Sequence, residues 1–121
     1  MTARRVSEEL ATATYDCPSS VAVGDWVYLS GSNSVTVADN GSEATCNVLG
    51  IVILKPTTIR AVVRSFGQTT ALSGLTAAQR YWMGTAGAMT STPPSSGVFQ
   101  QLGSAITTTL FHIDIQQRVI L

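Results

Sequence analysis

Charge is what this chain has least of. Seven Lys or Arg and seven Asp or Glu cancel, and together they make up 12% of the 121 residues, about half the usual share of roughly 25%. Lys55 is the only lysine and His112 the only histidine. A nucleic-acid surface needs clustered positive charge to neutralise phosphates, so this balance implies no nucleic-acid partner. A structural zinc centre needs four ligands at set spacings. One histidine with Cys17 and Cys46 supplies no such set, and no metal is expected. Neither a GxGxxG after a strand nor a GxxxxGK[ST] occurs, so no phosphate cradle and no cofactor is implied. Long apolar runs are missing as well. The longest, "VLGIVIL" at 48–54, has seven residues, far short of the ~20 that a membrane-spanning helix needs. Arg4 and Arg5 are followed by no apolar stretch of the kind a secretory leader carries. The expectation is a chain made in a reducing cytoplasm, with no membrane partner and with both cysteines as free thiols.

Catalytic chemistry is equally thin. His112 and Asp114 fall on one face of a β-patterned run, which would let the carboxylate orient an imidazole. A nucleophile is still needed, and the chain's 29 Ser and Thr residues make a hydroxyl available everywhere without singling one out. His112 therefore reads as a solvent-side or interface residue. No catalytic residue is assigned, and the chain is expected not to be an enzyme.

What is present is β texture from Pro18 onward. Short runs rich in Val, Ile, Thr, Tyr and Trp alternate with Gly, Ser, Asn and Pro clusters. "DWVYL" (25–29), "SVTVA" (34–38), "CNVLGIVIL" (46–54) and "TIRAVVRSF" (58–66) form one set; "RYWMG" (80–84), "VFQQLGSAI" (98–106) and "TLFHIDI" (109–115) form a second, before a closing "RVIL". Asn40-Gly41 is a hairpin signal, because both turn residues tolerate positive φ. "LTAAQRYWM" has helical propensity, but Gly74 and Gly84 bracket it too closely for a helix.

The two sets match. Val27-Tyr28-Leu29 aligns with Tyr81-Trp82-Met83, "VLGIVI" with "QLGSAI" through Gly50 and Gly103, and Ile59 with Phe111. The chain thus reads as an all-β protein, a small barrel or sandwich built from two similar β-units at about 24–66 and 78–118. Half a barrel cannot bury its own apolar face, so the two units are expected to close on each other. Residues 17–121 form this β-domain. Residues 1–16 read as an N-terminal arm: Arg4, Arg5, Glu8 and Glu9 concentrate charge there, and Val6, Leu10 and Tyr15 are its apolar anchors.

Two features look like contact surface. From Gly84 to Gly97, Met89 is the one large apolar side chain, and Pro93-Pro94 stiffens the run and removes two N–H donors. Such a loop is expected to be ordered against a neighbour, with Met89, Pro93 and Pro94 in the contact. The aromatic residues Trp26, Tyr28, Tyr81 and Trp82 read as core or subunit interface, where rings are enriched. A carbohydrate-stacking platform of Trp26, Tyr28 and Trp82 is the alternative.

The stretches "DCPSSVAVGDWVYLSG", "NVLGIVILKPTT" and "SGLTAAQRYWMGTAGAMTSTPPSSGVFQQLGSAITTTLFHIDI" resemble small virion proteins of tailed bacteriophages. Those share a GLTAG-type turn, a Tyr-rich strand, a Gly/Thr/Pro loop and a "vG.A.s.t.l.v.i" close. The resemblance covers about 17–121. The chain departs from it at Ala78, where glycine is common, and at Ser104, where an apolar residue is usual. It implies a virion structural protein made in the host cytoplasm. The favoured expectation is a capsid decoration, or cement, protein on the outside of the shell, with the major capsid protein and sister copies in a homotrimer as partners. The alternatives are a tail or fibre domain that contacts host glycan and a neck or tail adaptor ring subunit.

Overall fold

The computed structural model describes residues 12–121, and every regular element among them is a strand. In chain order these are β1 (Thr12–Asp16), β2 (Trp26–Gly31), β3 (Ser34–Val37), β4 (Gly50–Thr57), β5 (Arg60–Arg64), β6 (Gly67–Thr69), β7 (Arg80–Met83), β8 (Met89–Thr90), β9 (Val98–Phe99), β10 (Gln101–Ala105), β11 (Phe111–Ile113) and β12 (Val119–Ile120). The first five close a barrel in the order β1-β3-β2-β4-β5. The second unit is an open sheet, β6-β11-β10-β7-β8, and β12 pairs with β9 beside it.

The repeat is visible in the pairing. From β3 the barrel runs β3-β2-β4-β5-β1, and from β8 the open sheet runs β8-β7-β10-β11-β6, the same succession. Val27 stands opposite Gly50, and Tyr81 opposite Gly103. Tyr28 pairs with Thr36 as Trp82 pairs with Thr90. Register is therefore shared across the first three strands of each unit.

Closure follows a different plan from the one the repeat predicts. The units do not complete one barrel between them. The first closes alone, because β1 pairs with β5 at five positions and meets β3 in parallel at Asp16 and Ser34. Its counterpart β6 pairs with β11 at three positions and does not reach the two-residue β8. Thr12–Asp16 is thus barrel wall rather than arm, and Tyr15 packs against the barrel interior. Arg4, Arg5, Val6 and Leu10 lie outside the described residues.

Two other local expectations also change. Ile59 is not the equivalent of Phe111: it sits in the β4–β5 turn and is 59% exposed, whereas Phe111 is fully buried. In the ladders Val63 faces Val52 as Phe111 faces Ala105. The β4–β5 hairpin is longer than its counterpart, which displaces any alignment carried through the turn. Asn40-Gly41 does not make a positive-φ hairpin either; the turn residue with φ 52 is Asn33, between β2 and β3. The Asp39 carboxylate instead accepts the Gly41 N–H at 2.8 Å, a local bond of the kind that holds a turn without left-handed backbone.

Strand alternation sorts the apolar residues into two cores. Val27, Val35, Val52, Ala61 and Val63 fill the barrel with Cys17 and Val21. Trp26 and Ile51, from the same strands as Val27 and Val52, face outward into a second cluster with Leu75, Tyr81, Met83, Leu102, Phe111 and Ile113. That cluster joins the units. Trp26 meets the Phe111 ring edge-on at 5.7 Å between centroids, and Tyr81 meets it at 5.9 Å, separations at which such pairs attract beyond their burial.

Ala78 explains a departure noted in the sequence. Its φ is 67, a left-handed conformation that costs a Cβ-bearing residue about 1–2 kcal/mol. Glycine meets no such cost, but its freer unfolded chain gives part of the gain back. Ala78→Gly is expected to raise stability by about 0.5–1 kcal/mol, measured as a higher urea midpoint with unchanged slope.

Candidate interaction surface

The β7–β8 turn is the point at which the units lock. Ala86 donates its N–H to the Asp39 Oδ2 at 3.0 Å. Gly87 donates to the Ala38 carbonyl and accepts from the Trp26 N–H, while Asn40 donates to the Gly84 carbonyl. Farther along, Val98 donates to the Asn40 carbonyl at 2.8 Å. Both ends of the long loop are thus bound to the first unit of the same chain, and Asp39 holds its own turn and this one together.

Between those ends Met89 and Thr90 pair with β7, and the Ser91 carbonyl accepts a Gln79 side-chain N–H at 3.3 Å. Met89, Pro93 and Pro94 come together around an open hollow of about 430 Å³, closed on the other side by Asn40 and Gly84. Thr90 Oγ1 accepts the Thr92 N–H at 3.1 Å and turns the chain out of β8. The hollow carries no charged side chain. Ala88, Met89, Pro93 and Pro94 line it together with Thr85, Thr90, Thr92 and Ser95.

The aromatic residues are placed inside. Trp26 is fully buried, Tyr81 is 8% and Trp82 9% exposed, and Tyr28 packs against the shared core. Trp82 points away from Tyr81 on its strand and packs on Phe99 at 5.9 Å. Neither tryptophan offers a sugar an exposed ring face. Both indole N–H groups are buried without a hydrogen-bond partner, a cost that tight packing of the rings must offset.

Buried polarity elsewhere is accounted for. Gln100, 3% exposed, accepts the Val48 N–H at 3.2 Å and the Cys46 S–H at 3.6 Å, and donates to the Gln116 carbonyl at 3.0 Å. One side chain thereby ties the first unit to the C-terminal segment. Lys55 donates to the carbonyls of Val21 at 2.6 Å and Thr58 at 2.8 Å, so the only lysine serves as a brace for the turns at one barrel end. Sequence reasoning singled out neither, because a Gln or Lys bound to backbone groups has no partner residue type to look for.

His112 and Asp114 are both exposed on the outer face of the second sheet. No group of three or more His, Cys, Asp or Glu that could hold a metal occurs among the described residues. No helix among them is long and apolar enough to cross a membrane.

Cys17 and Cys46 are free and buried, one in each core cluster. Burial raises the Cys46 thiol from 9.0 to about 11, with Arg118 lowering it and Asp39 raising it further. The neutral thiol is the form the fold accommodates. Stability tied to it is therefore fully present below pH 9 and is lost as pH rises through about 11. Native protein at pH 8 is expected to leave Cys46 unlabelled by iodoacetamide, while both cysteines label in denaturant without reductant. Mass spectrometry reads both. Rapid native labelling of Cys46 would place it at the surface.

Large apolar side chains also remain outside. Among the described residues nine are 44% exposed or more, including Leu29, Leu54, Ile59, Phe66, Val119 and Ile120. Compared with protein-family models, with curated protein sequences and with solved structures, the chain matches none.

Proposed function

We propose that this chain is a structural protein of a tailed-phage virion, a decoration protein that binds the outside of the major capsid shell, stabilises it and assembles with copies of itself as a trimer. The observation that carries this reading is the surface. Beside its two cores, the described part exposes nine large apolar side chains on a chain with 12% charged residues. Exposed apolar side chains that gather in one place mark contact with other proteins, and Val119, Ile120 and Leu121, consecutive and each more than half exposed, are where they gather along the chain. Scarcity of charge leaves close local fit, rather than long-range attraction, to provide specificity. The resemblance to small phage virion proteins supplies the kind of assembly.

The proposed contacts are the hollow at Met89, Pro93 and Pro94 and the segment of Arg4, Arg5, Val6 and Leu10. Purified protein added to undecorated shells is expected to bind in hundreds of copies per particle and to raise the temperature at which the shells break. A dozen copies or fewer per virion would indicate a neck or tail ring instead. Removal of residues 1–11 is expected to weaken shell binding at least tenfold, a loss of about 1.4 kcal/mol. Undiminished binding would move attachment to the loop. The truncation must begin at Thr12, since a chain beginning at Cys17 loses a barrel strand.

A further inference from the structure

Five cations lie among the described residues, and four are served by carbonyls, carboxylates or open water. Lys55 donates to main-chain carbonyls. Arg60 pairs with Asp16 at 2.8 Å and Arg118 with Glu43 at 3.3 Å, and Arg80 is exposed. Arg64 is half-buried, yet no hydrogen bond or salt bridge holds its guanidinium among the described residues. It lines a hollow of about 390 Å³ with Ile53, Gln68, Thr69, Thr70 and Ala71, so every other group there is neutral. A charge drawn partly out of water is stabilised by an opposite charge brought to it. The hollow calls for a carboxylate.

None of the described carboxylates answers. Asp16 and Glu43 are taken, and Asp25 and Asp39 accept main-chain N–H groups. Asp114 is exposed and forms no salt bridge among the described residues. The two acidic residues that remain, Glu8 and Glu9, precede β1 and lie outside the described residues. Their chain enters the barrel at Thr12, which stands directly opposite Arg64. Glu8 is four residues from Thr12, at most about 14 Å of extended chain. Such a tether raises its local concentration at Arg64 far above that of any free partner. On a strand continued from β1, alternate residues share a face, which puts Leu10 and Glu8 on the Thr12 side, facing as Arg64 does. The β1–β5 register, carried two residues further, sets Leu10 opposite Phe66, a ring 49% exposed.

We infer that the hollow beside Arg64 is the docking site of this chain's own N-terminal segment: Glu8 enters it and pairs with the Arg64 guanidinium, while Leu10 covers Phe66. Of the segment residues proposed above to reach the shell, Leu10 then faces the body, and Arg4, Arg5 and Val6 are presented from a fixed place on it. The docking goes beyond the virion reading and does not depend on it.

Nuclear magnetic resonance relaxation of the full chain tests this with no partner added. In the wild type, backbone heteronuclear NOE values at residues 8–11 are expected to match those of β1. Arg64→Glu sets two negative charges against each other and is expected to lower those values by at least half, with β1 and β5 still ordered. Glu8→Arg combined with Arg64→Glu is expected to restore them, which structural damage at position 64 would not allow. Three results overturn the inference: a wild type whose residues 8–11 move freely, an Arg64→Glu protein that keeps them ordered, or a charge-swapped chain that fails to recover. Shell binding plays no part in the readout, so a chain that docks its segment and ignores capsids loses the proposed function alone.

Discussion

Gly103→Ala is expected to cost about 3 kcal/mol or more, at or beyond the upper end of ordinary overpacking. β10 runs so close to β11 at this residue that an added Cβ would collide with the His112 carbonyl oxygen, and it would also lie 2.9 Å from Cε2 of Phe111 and 3.1 Å from the Asp114 N. The neighbouring strand has little freedom to retreat. Ile113 is paired with Gly103 on one side and with Gly67 on the other, and the Asp114 N–H is bound to the Leu102 carbonyl at 2.8 Å. The φ of +150 adds strain of its own for a residue with a side chain. Gly50, the repeat counterpart, has the same neighbourhood: its Cβ would collide with the Arg64 carbonyl oxygen and lie 2.8 Å from Val63 Cγ1. Gly50→Ala is expected to cost a comparable amount. Gly31 has open space around it, and Gly31→Ala is expected to stay within about 0.5 kcal/mol of the wild type. Urea midpoints of the three variants decide the matter. Wild-type stability in Gly103→Ala would show that the strands do not approach as described.

Trp26→Ala is expected to lose about 3–5 kcal/mol, the range for deleting a large buried ring. For a chain of this size that is a fall in melting temperature of roughly 12–20 °C. The side chain starts from the barrel wall and fills the core shared with the second sheet, against Phe111, so its loss opens the seam between the units. Trp26→Phe separates ring packing from the indole N–H. It keeps an aromatic ring and removes a buried donor that has no partner, so it is expected to lose less than half as much. Differential scanning calorimetry of both variants measures the difference. Equal losses would mean that the N–H is satisfied in solution.

The strands themselves were legible in the residues. β-Branched and aromatic runs between Gly, Ser and Asn clusters located β2, β3, β5, β7, β10 and β11 to within a few residues. The repeat was legible where side chains decide the fit. Gly50 and Gly103 recur because at each the next strand, at Val63-Arg64 and at Phe111-His112, comes too close for a side chain. It was misread where chain length decides, since a longer β4–β5 turn shifts the alignment and puts Ile59 in solvent. Of the proposed contact residues, Met89, Pro93 and Pro94 meet in one hollow, while Tyr15 belongs to the barrel.

From the residues alone, then, come an all-β chain, a twofold repeat, and the chemical poverty that leaves no catalytic or metal-binding set assigned. Tertiary structure decided closure. β1 seals the first barrel through main-chain pairing with β5, and backbone N–H and C=O groups are the same in every residue but proline, so "TATYD" carries little trace of the task. The joining of the units was decided in the same way. Asp39, Gln100 and the β7–β8 turn meet through bonds to main-chain atoms far away in sequence, and a side chain that binds backbone leaves no complementary residue for a sequence pattern to reveal.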